Sequence, residues 1–180
     1  MRLEPSERDV MLAAVPNLRA FAMSLSGNVD RADDLVQGTL VRAMANIHLF
    51  QPGTNMQAWL FTILRNLFRS EFRKRRREVE DVDGSYLDSL ESPAEQDGRL
   101  EFEELFEALA KLPFVQREAL LLVGASGFSY DEAAAICETP VGTIKSRVNR
   151  ARRRLVELLM IESAGKFGSN PMTADLRAGY

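Results

Sequence analysis

The stretch "TPVGTIKSRVNRARRRL" (139–155) holds six basic residues and no acidic one, and it opens on Thr-Pro. Thr139 is a good N-cap, and Pro140 suits the first helical position, where a missing N–H goes unnoticed. Placed at ~100° per residue, Ile144, Val148, Ala151 and Leu155 fall on one narrow apolar stripe. The opposite face presents Gly142, Ser146, Asn149, Arg150 and Arg153, with Thr143 and Lys145 at its flanks. Small residues near the start of a cationic face permit close approach to a major groove, and Arg and Asn have the geometry to pair with guanine and adenine edges. Just upstream, Ser129 and Glu132 form a capping box for a short helix over 130–137, packed by Ala133, Ala134 and Ile136. Two helices joined by so short a connection make a helix-turn-helix. The alternative is a solvated amphipathic helix. The tandem caps and the absence of acids from 139 to 156 weigh against it.

Outward from this stretch the charge is segregated. The chain has 180 residues and a net charge of −3, but residues 1–77 carry +5, residues 78–110 carry −11 and residues 111–160 carry +3. A second basic cluster, "LRNLFRSEFRKRRR" (64–77), has seven bases and one acid. It closes a helix expected over 56–76 with a core stripe of Met56, Trp59, Ile63, Leu64 and Leu67. Arg65, Arg69 and Arg73 lie opposite the Ile63–Leu67 stripe, and the run 73–77 suits phosphates. Bases that only complement a helix dipole are the alternative. Trp59, Phe61, Phe68 and Phe72 interleave with these bases. Aromatics so placed can stack on unpaired bases, although most, Trp59 included, are expected in the core.

Strand signals are nearly absent. An apolar series of Met11, Ala14, Val15, Leu18, Phe21, Ala22 and Leu25 has helical spacing. Pro16 within it predicts two pieces, and Gly27 ends the second. A helix starting near Asp30, with Asp33 and Asp34 in its first turn, carries the stripe Val36, Leu40, Ala43 and Ile47. The loop 48–55 is punctuated by Pro52 and Gly53. Helical pattern resumes at Leu100, Leu105, Leu109 and Leu112, and Pro113 opens a further helix, "FVQREALLLVG". The organisation expected is all-α: a helical domain over 1–77, a flexible acidic linker over 78–97, a second helical domain over 98–162 and a frayed tail over 163–180.

Several function classes recede. Cys137 is the lone cysteine and His48 the lone histidine, so a Cys/His zinc site lacks ligands and no intrachain disulfide can form. No dinucleotide fingerprint, phosphate-binding loop or nucleophile elbow is present. The chain is expected to be no enzyme and to need no metal or other cofactor. No apolar run approaches the ~18–20 residues of a membrane span, and the polar N-terminus lacks a signal-peptide core, so a cytoplasmic location is expected.

Three stretches, "ADDLVQGTLVRAM" (32–44), "QAWLFTILRNLFRSEFRKRRR" (57–77) and "LPFVQREALLLVGASGFSYDEAAAICETPVGTIKSRVNRARRRL" (112–155), resemble the extracytoplasmic-function (ECF) sigma factors of bacterial RNA polymerase. Within that family, "NLRAFAMSLSGNVDRADDLVQGTLVRA" and "GFSYDEAAAICETPVGTIKSR" look most like the EcfG-like general-stress-response group. The resemblance implies sigma region 2 in the first domain and region 4 in the second. The implied partners are core polymerase (clamp and flap), promoter DNA and a small anti-sigma protein, with the free chain a monomer. By position it assigns Asp33, Asp34, Leu35 and Gln37 to core polymerase. It assigns His48 and Asn55 of the loop, Asn66, Arg69, Arg73, Lys74, Arg75 and Arg76 to the −10 element. It assigns Thr143, Lys145, Ser146, Arg147, Asn149, Arg150 and Arg153 to the −35 element, Arg147 better suited to a phosphate because it lies nearer the core edge. Two other readings are a helix-turn-helix factor acting without polymerase, which leaves the second basic cluster unexplained, and a sigma mimic that sequesters an anti-sigma factor, which would not need the 145–153 face. The acidic linker faces two basic surfaces across a short tether. A compact free state partly covering 145–153 is therefore expected.

Overall fold

Hydrophobic spacing of three and four residues, rather than two, produces helices throughout. The structure is a computed structural model. It describes residues 5–80 and 100–168, with side chains described for 7–74 and 104–160. The elements are α1 (Pro5–Ser26), α2 (Val29–Ala45), a 3₁₀ turn (Ile47–Leu49), α3 (Met56–Glu80), α4 (Leu100–Ala110), α5 (Phe114–Leu120), a π-helical turn (Leu121–Ala125), α6 (Tyr130–Cys137) and α7 (Val141–Gly168). Among the described residues there is no strand. The linker expected over 78–97 lies, from 81 on, outside the described residues. So does 169–180 of the expected tail, whereas α7 continues past 162 to Gly168.

α1, α2 and α3 pack on one another as the first unit, around Leu18, Phe21, Leu25, Leu35, Leu60, Phe61 and Leu64. Pro16 does not divide α1. Its ring faces solvent, and Leu12, whose carbonyl loses its amide donor, is 54% exposed, so water takes over that bond. The apolar stripe on the far side of the helix continues uninterrupted. Gly27, at φ 66°, then ends α1 by donating to the Met23 carbonyl at 2.8 Å. Asn28 caps α2 by accepting from the Arg31 N–H at 2.9 Å. Because α2 begins at Val29, its first-turn acid is Asp30, and Asp33 and Asp34 fall in the second turn rather than the first.

α4, α5, α6 and α7 form the second unit, with Ala108, Leu122, Ala133, Ile136, Ile144, Val148 and Ala151 at its centre. The helix expected to run on through Val123 widens into the π turn, where the Ser126 N–H reaches the Leu121 carbonyl at 2.9 Å. The turn's two consecutive leucines, Leu121 and Leu122, are 6% and 0% exposed. The capping box at Ser129 and Glu132 is present in full. α6 closes on Glu138, the one described non-glycine residue with positive φ, at 50°. There the Thr139 N–H bonds the Ala134 carbonyl at 3.0 Å and the Glu138 N–H bonds that of Ala135 at 3.2 Å. This left-handed residue makes the sharp bend into α7.

The two units touch. α3 lies along α6, and α1 along α4 and α5, so that a single apolar core runs through both. Left-handed backbone costs a non-glycine residue ~1–2 kcal/mol. Glu138→Gly should therefore raise stability by about 0.5–1 kcal/mol after glycine's extra unfolded freedom is offset. Urea unfolding of the two proteins measures this, and a destabilised variant would show that the bend is not strained.

Candidate nucleic-acid and polymerase interface

α7 packs against α4, α5 and α6, and one side of it stays open. Ile144, Val148 and Ala151 are fully buried, while Lys145, Asn149, Arg150 and Arg153 are exposed and Thr143, Ser146 and Arg147 half-buried. Arg147 is thus at the core edge, as the helical wheel has it. The Ser146 hydroxyl donates to the Thr143 carbonyl at 2.9 Å and accepts from Arg150 Nη2 at 3.2 Å. That chain of bonds steadies the Arg150 fork before any base is met. Lys145 Nζ stands 5.9 Å from the centre of the Tyr130 ring, a cation–π contact between the two helices of the motif. Tyr130 was absent from the sequence-level site, because a pair formed across a turn has no helical period to betray it. The expected covering of 145–153 is not found: Lys145, Arg150, Arg152 and Arg153 are exposed, and the two units meet elsewhere.

They meet along α3, and this corrects the reading of that helix. Arg65 was expected on the outward basic face; it is 3% exposed, and its Nε donates to Glu118 Oε1 of α5 at 2.6 Å. Phe61 packs edge-on against Phe128 at 4.9 Å, and Phe68 stacks on Phe114 at 5.5 Å. Both phenylalanines therefore serve the contact between units and not base stacking. Trp59 is half-buried against Phe50 at 5.4 Å. Asn55 also differs from expectation. Its Oδ1 accepts from the Ala58 N–H at 3.2 Å, which caps α3, and its Nδ2 donates to Glu132 Oε1 at 2.8 Å. Both of its polar atoms are bonded within the chain, although the residue is exposed.

The remaining −10 candidates with described side chains reach the surface. His48 is exposed on the 3₁₀ turn, and Asn66, Arg69, Arg73 and Lys74 are exposed on α3. The side chains of Arg75 and Arg76 lie outside the described residues. On α2, Asp33, Asp34 and Gln37 are exposed, but Leu35 is 1% exposed and sits in the core of the first unit. It lies beside Val36 on the apolar side of α2, together with Ala32, Thr39 and Ala43, while Asp33, Asp34 and Gln37 take the outer side. Leu35 holds α2 in place instead of meeting a partner. Asp33 is bound by Arg19, Nε to Oδ1 at 2.5 Å and Nη2 to Oδ2 at 3.1 Å, and this hydrogen bonding holds its carboxyl below the usual range. Val41 and Met44, 60% and 54% exposed, continue the Asp34–Gln37 line along α2. Sequence reading passed over them, though they stand four and seven positions beyond Gln37, the spacing of a shared helix face.

Among the described residues no group of three or more His, Cys, Asp or Glu side chains could hold a metal. Burial first, and the charge of Glu118 next, push the Cys137 thiol up to about 12, so it stays protonated.

Two helical units thus each present a basic face, one of them on a capped helix-turn-helix. Family models match both parts: "Sigma-70 region 2" over residues 11–78 and "Sigma-70, region 4" over residues 102–155. The chain belongs to the ECF RNA polymerase sigma factors. It is 69% identical over 168 residues to the ECF RNA polymerase sigma factor EcfG of Rhodopseudomonas palustris (strain TIE-1), covering 93% of each chain. It is 38% identical over 130 residues to the sigma factor SigC of Mycobacterium tuberculosis, covering 72% of this chain and 70% of that one. Among solved structures it is similar to the sigma factor RpoE of Bartonella quintana in complex with the anti-sigma factor NepR. There the TM-score is 0.78 at 53% identity, over 86% of this chain and 96% of that one.

Two outcomes follow from this geometry. If Arg150 pairs with a base edge, Arg150→Ala should weaken binding by about 1–3 kcal/mol and relax preference at one position. A randomised-site selection with the holoenzyme reads this, and an unchanged profile removes Arg150 from the reading surface. Glu132 has its pKa lowered from 4.5, first by the Ser129 backbone N–H and next by Asn55. Its stabilising contribution is present above that ordinary value and is lost as pH falls through the lower, folded one. Glu132→Gln removes the titrating carboxyl and should flatten the acid limb of the stability curve; an acid limb as steep as wild type would sever Glu132 from it.

Proposed function

We propose that this ECF sigma factor directs core polymerase to promoters by docking α2 on the enzyme, engaging the −10 element with the α3 surface, and reading the −35 element with α7. The observation that carries the reading is the pair of exposed faces on α3 and α7, each backed by a buried apolar stripe and therefore fixed in direction. Asp34, Gln37, Val41 and Met44 give α2 a mixed polar and apolar docking line for the polymerase clamp, and the flap is the partner of the second unit. The chain supplies no catalysis; the polymerase does the chemistry. No described helix is long and apolar enough to cross a membrane, which suits action on cytoplasmic DNA.

We further propose that the chain serves a general stress response and is held by a small anti-sigma protein. Supporting this are the similarity to EcfG and the similarity, over both units together, to a sigma factor captured with NepR. The form described here is a closed one, in which the −10 and −35 surfaces are tied to one body. Promoter elements about one and a half helical turns apart lie ~50 Å from each other, and the residues between α3 and α4, 81–99, could span up to ~65 Å if extended. The closed form therefore opens to bind both.

In vitro transcription with core polymerase on a genomic template pool tests the function: initiation at a discrete set of start sites is expected, and no initiation above core alone refutes it. Asp33→Ala with Asp34→Ala should weaken capture of core polymerase at least tenfold while the thermal transition stays near that of wild type. Undiminished capture refutes docking through α2.

A further inference from the structure

Arg65, Arg69 and Arg73 recur every four residues along α3, so they share one helix face at steps of about 6 Å. Two of them are exposed, and the first is turned into the protein, where it meets Glu118 from the second unit. That ion pair is buried on both sides, its side chains 4% and 0% exposed. It is also incomplete. Arg65 Nη1 and Glu118 Oε2 are buried with no hydrogen-bond partner, so a fork able to grip a carboxylate through two parallel bonds grips it through one. Two charges withdrawn from water are well compensated only when geometry is good and the leftover donors and acceptors are filled. The pair thus fixes how the units sit while holding them only weakly. Phe61 and Phe68 stand one helical turn to either side of Arg65, and each seals against an aromatic ring of the second unit. The seals keep water from the pair until the units part.

We propose that Arg65 is a nucleic-acid contact kept in reserve, and that Glu118 occupies in the closed chain the place a DNA phosphate takes in the open one. The idea rests on the promoter-binding reading of α3 given above. On opening, both side chains regain water, Glu118 is carried off with α5, and Arg65 completes a three-arginine line with Arg69 and Arg73. A carboxylate and a phosphate oxygen offer the same guanidinium the same kind of acceptor. The closed chain is then self-inhibited at the residue that opening deploys.

The test uses the full-length free chain, small-angle scattering for its dimensions, and a fluorescein-labelled oligothymidylate as a backbone probe. Glu118→Gln should enlarge the radius of gyration and tighten oligothymidylate binding about tenfold, as expected when a competent state rises from a tenth to most of the population. Arg65→Gln should enlarge the chain equally but give less of the gain, and its slope of log affinity against log salt should be shallower by about 0.7, one single-strand phosphate contact. The charge exchange Arg65→Glu with Glu118→Arg should close the chain again. Glu118→Gln with wild-type dimensions and affinity overturns the latch; equal salt slopes for the two open variants overturn the phosphate contact. If Glu118→Gln loses its helical signal, the wild-type and Arg65→Gln holoenzymes on promoter DNA, where the chain is already open, decide instead. A shallower salt slope for Arg65→Gln supports the contact and an unchanged slope overturns it. Failure of the wild-type chain to form a holoenzyme at all would instead strike the promoter-binding reading.

Discussion

Arg65 and Glu118 stand 53 residues apart in the chain and bond at 2.6 Å in its interior. The placing of everything else between the units depends on that pair. Phe61 meets Phe128 and Phe68 meets Phe114 because α3 lies against the second unit at the height Arg65 sets. The Asn55–Glu132 hydrogen bond, nearer the start of α3, follows from the same alignment. Apolar contacts alone would accept several registers, since rings slide over one another at little cost; a buried charge accepts one. Removing one partner from such a pair, while the site stays dry, costs about 3–5 kcal/mol. Letting the whole site fill with water costs far less, because both ions are then solvated. The interface is consequently specific when shut and not prohibitive to open, which suits the opening proposed above.

Within each unit the physics is different and more permanent. The first is held by Leu18, Phe21, Leu35, Leu60, Phe61 and Leu64, all nearly inaccessible, and the second by Leu122, Ile136, Ile144 and Val148. Close-packed apolar side chains make each unit a body that moves as a whole. The exposed faces inherit that rigidity. Ser146 linked to Arg150, and Lys145 laid over Tyr130, are local ties that lower the freedom these side chains would lose on binding a partner. Glu132 serves both levels, capping α6 through Ser129 and meeting Asn55 across the interface.

Much of this was legible in the sequence because it is local. A helix-turn-helix declares itself through a capping box, a Thr-Pro start and an apolar stripe of period 3.6, each decided within a few residues of chain. The outward direction of Ser146, Asn149, Arg150 and Arg153 follows from that stripe alone. The family and the all-α class were equally within reach. Pro16 misled, because its effect depends on which side of α1 faces water, and Leu35 misled, because an assignment made by position cannot tell an inward from an outward neighbour.

What only the tertiary structure decided is the fate of α3. From sequence, Arg65 is one of seven bases in a cationic run, Phe61 and Phe68 are aromatics beside bases, and Asn55 is a polar residue in a loop. All four are engaged by a unit that lies at least 46 residues further along the chain, with Arg117, Glu118 and the π turn between Phe114 and Phe128. A buried ion pair leaves no periodic trace, since each partner sits in its own helix at a position that, taken alone, belongs on a surface. Helical period fixes which residues share a face, but it cannot say whether that face meets water, DNA or another part of the same protein. That choice is made by packing between distant segments, where desolvation decides which charges pair.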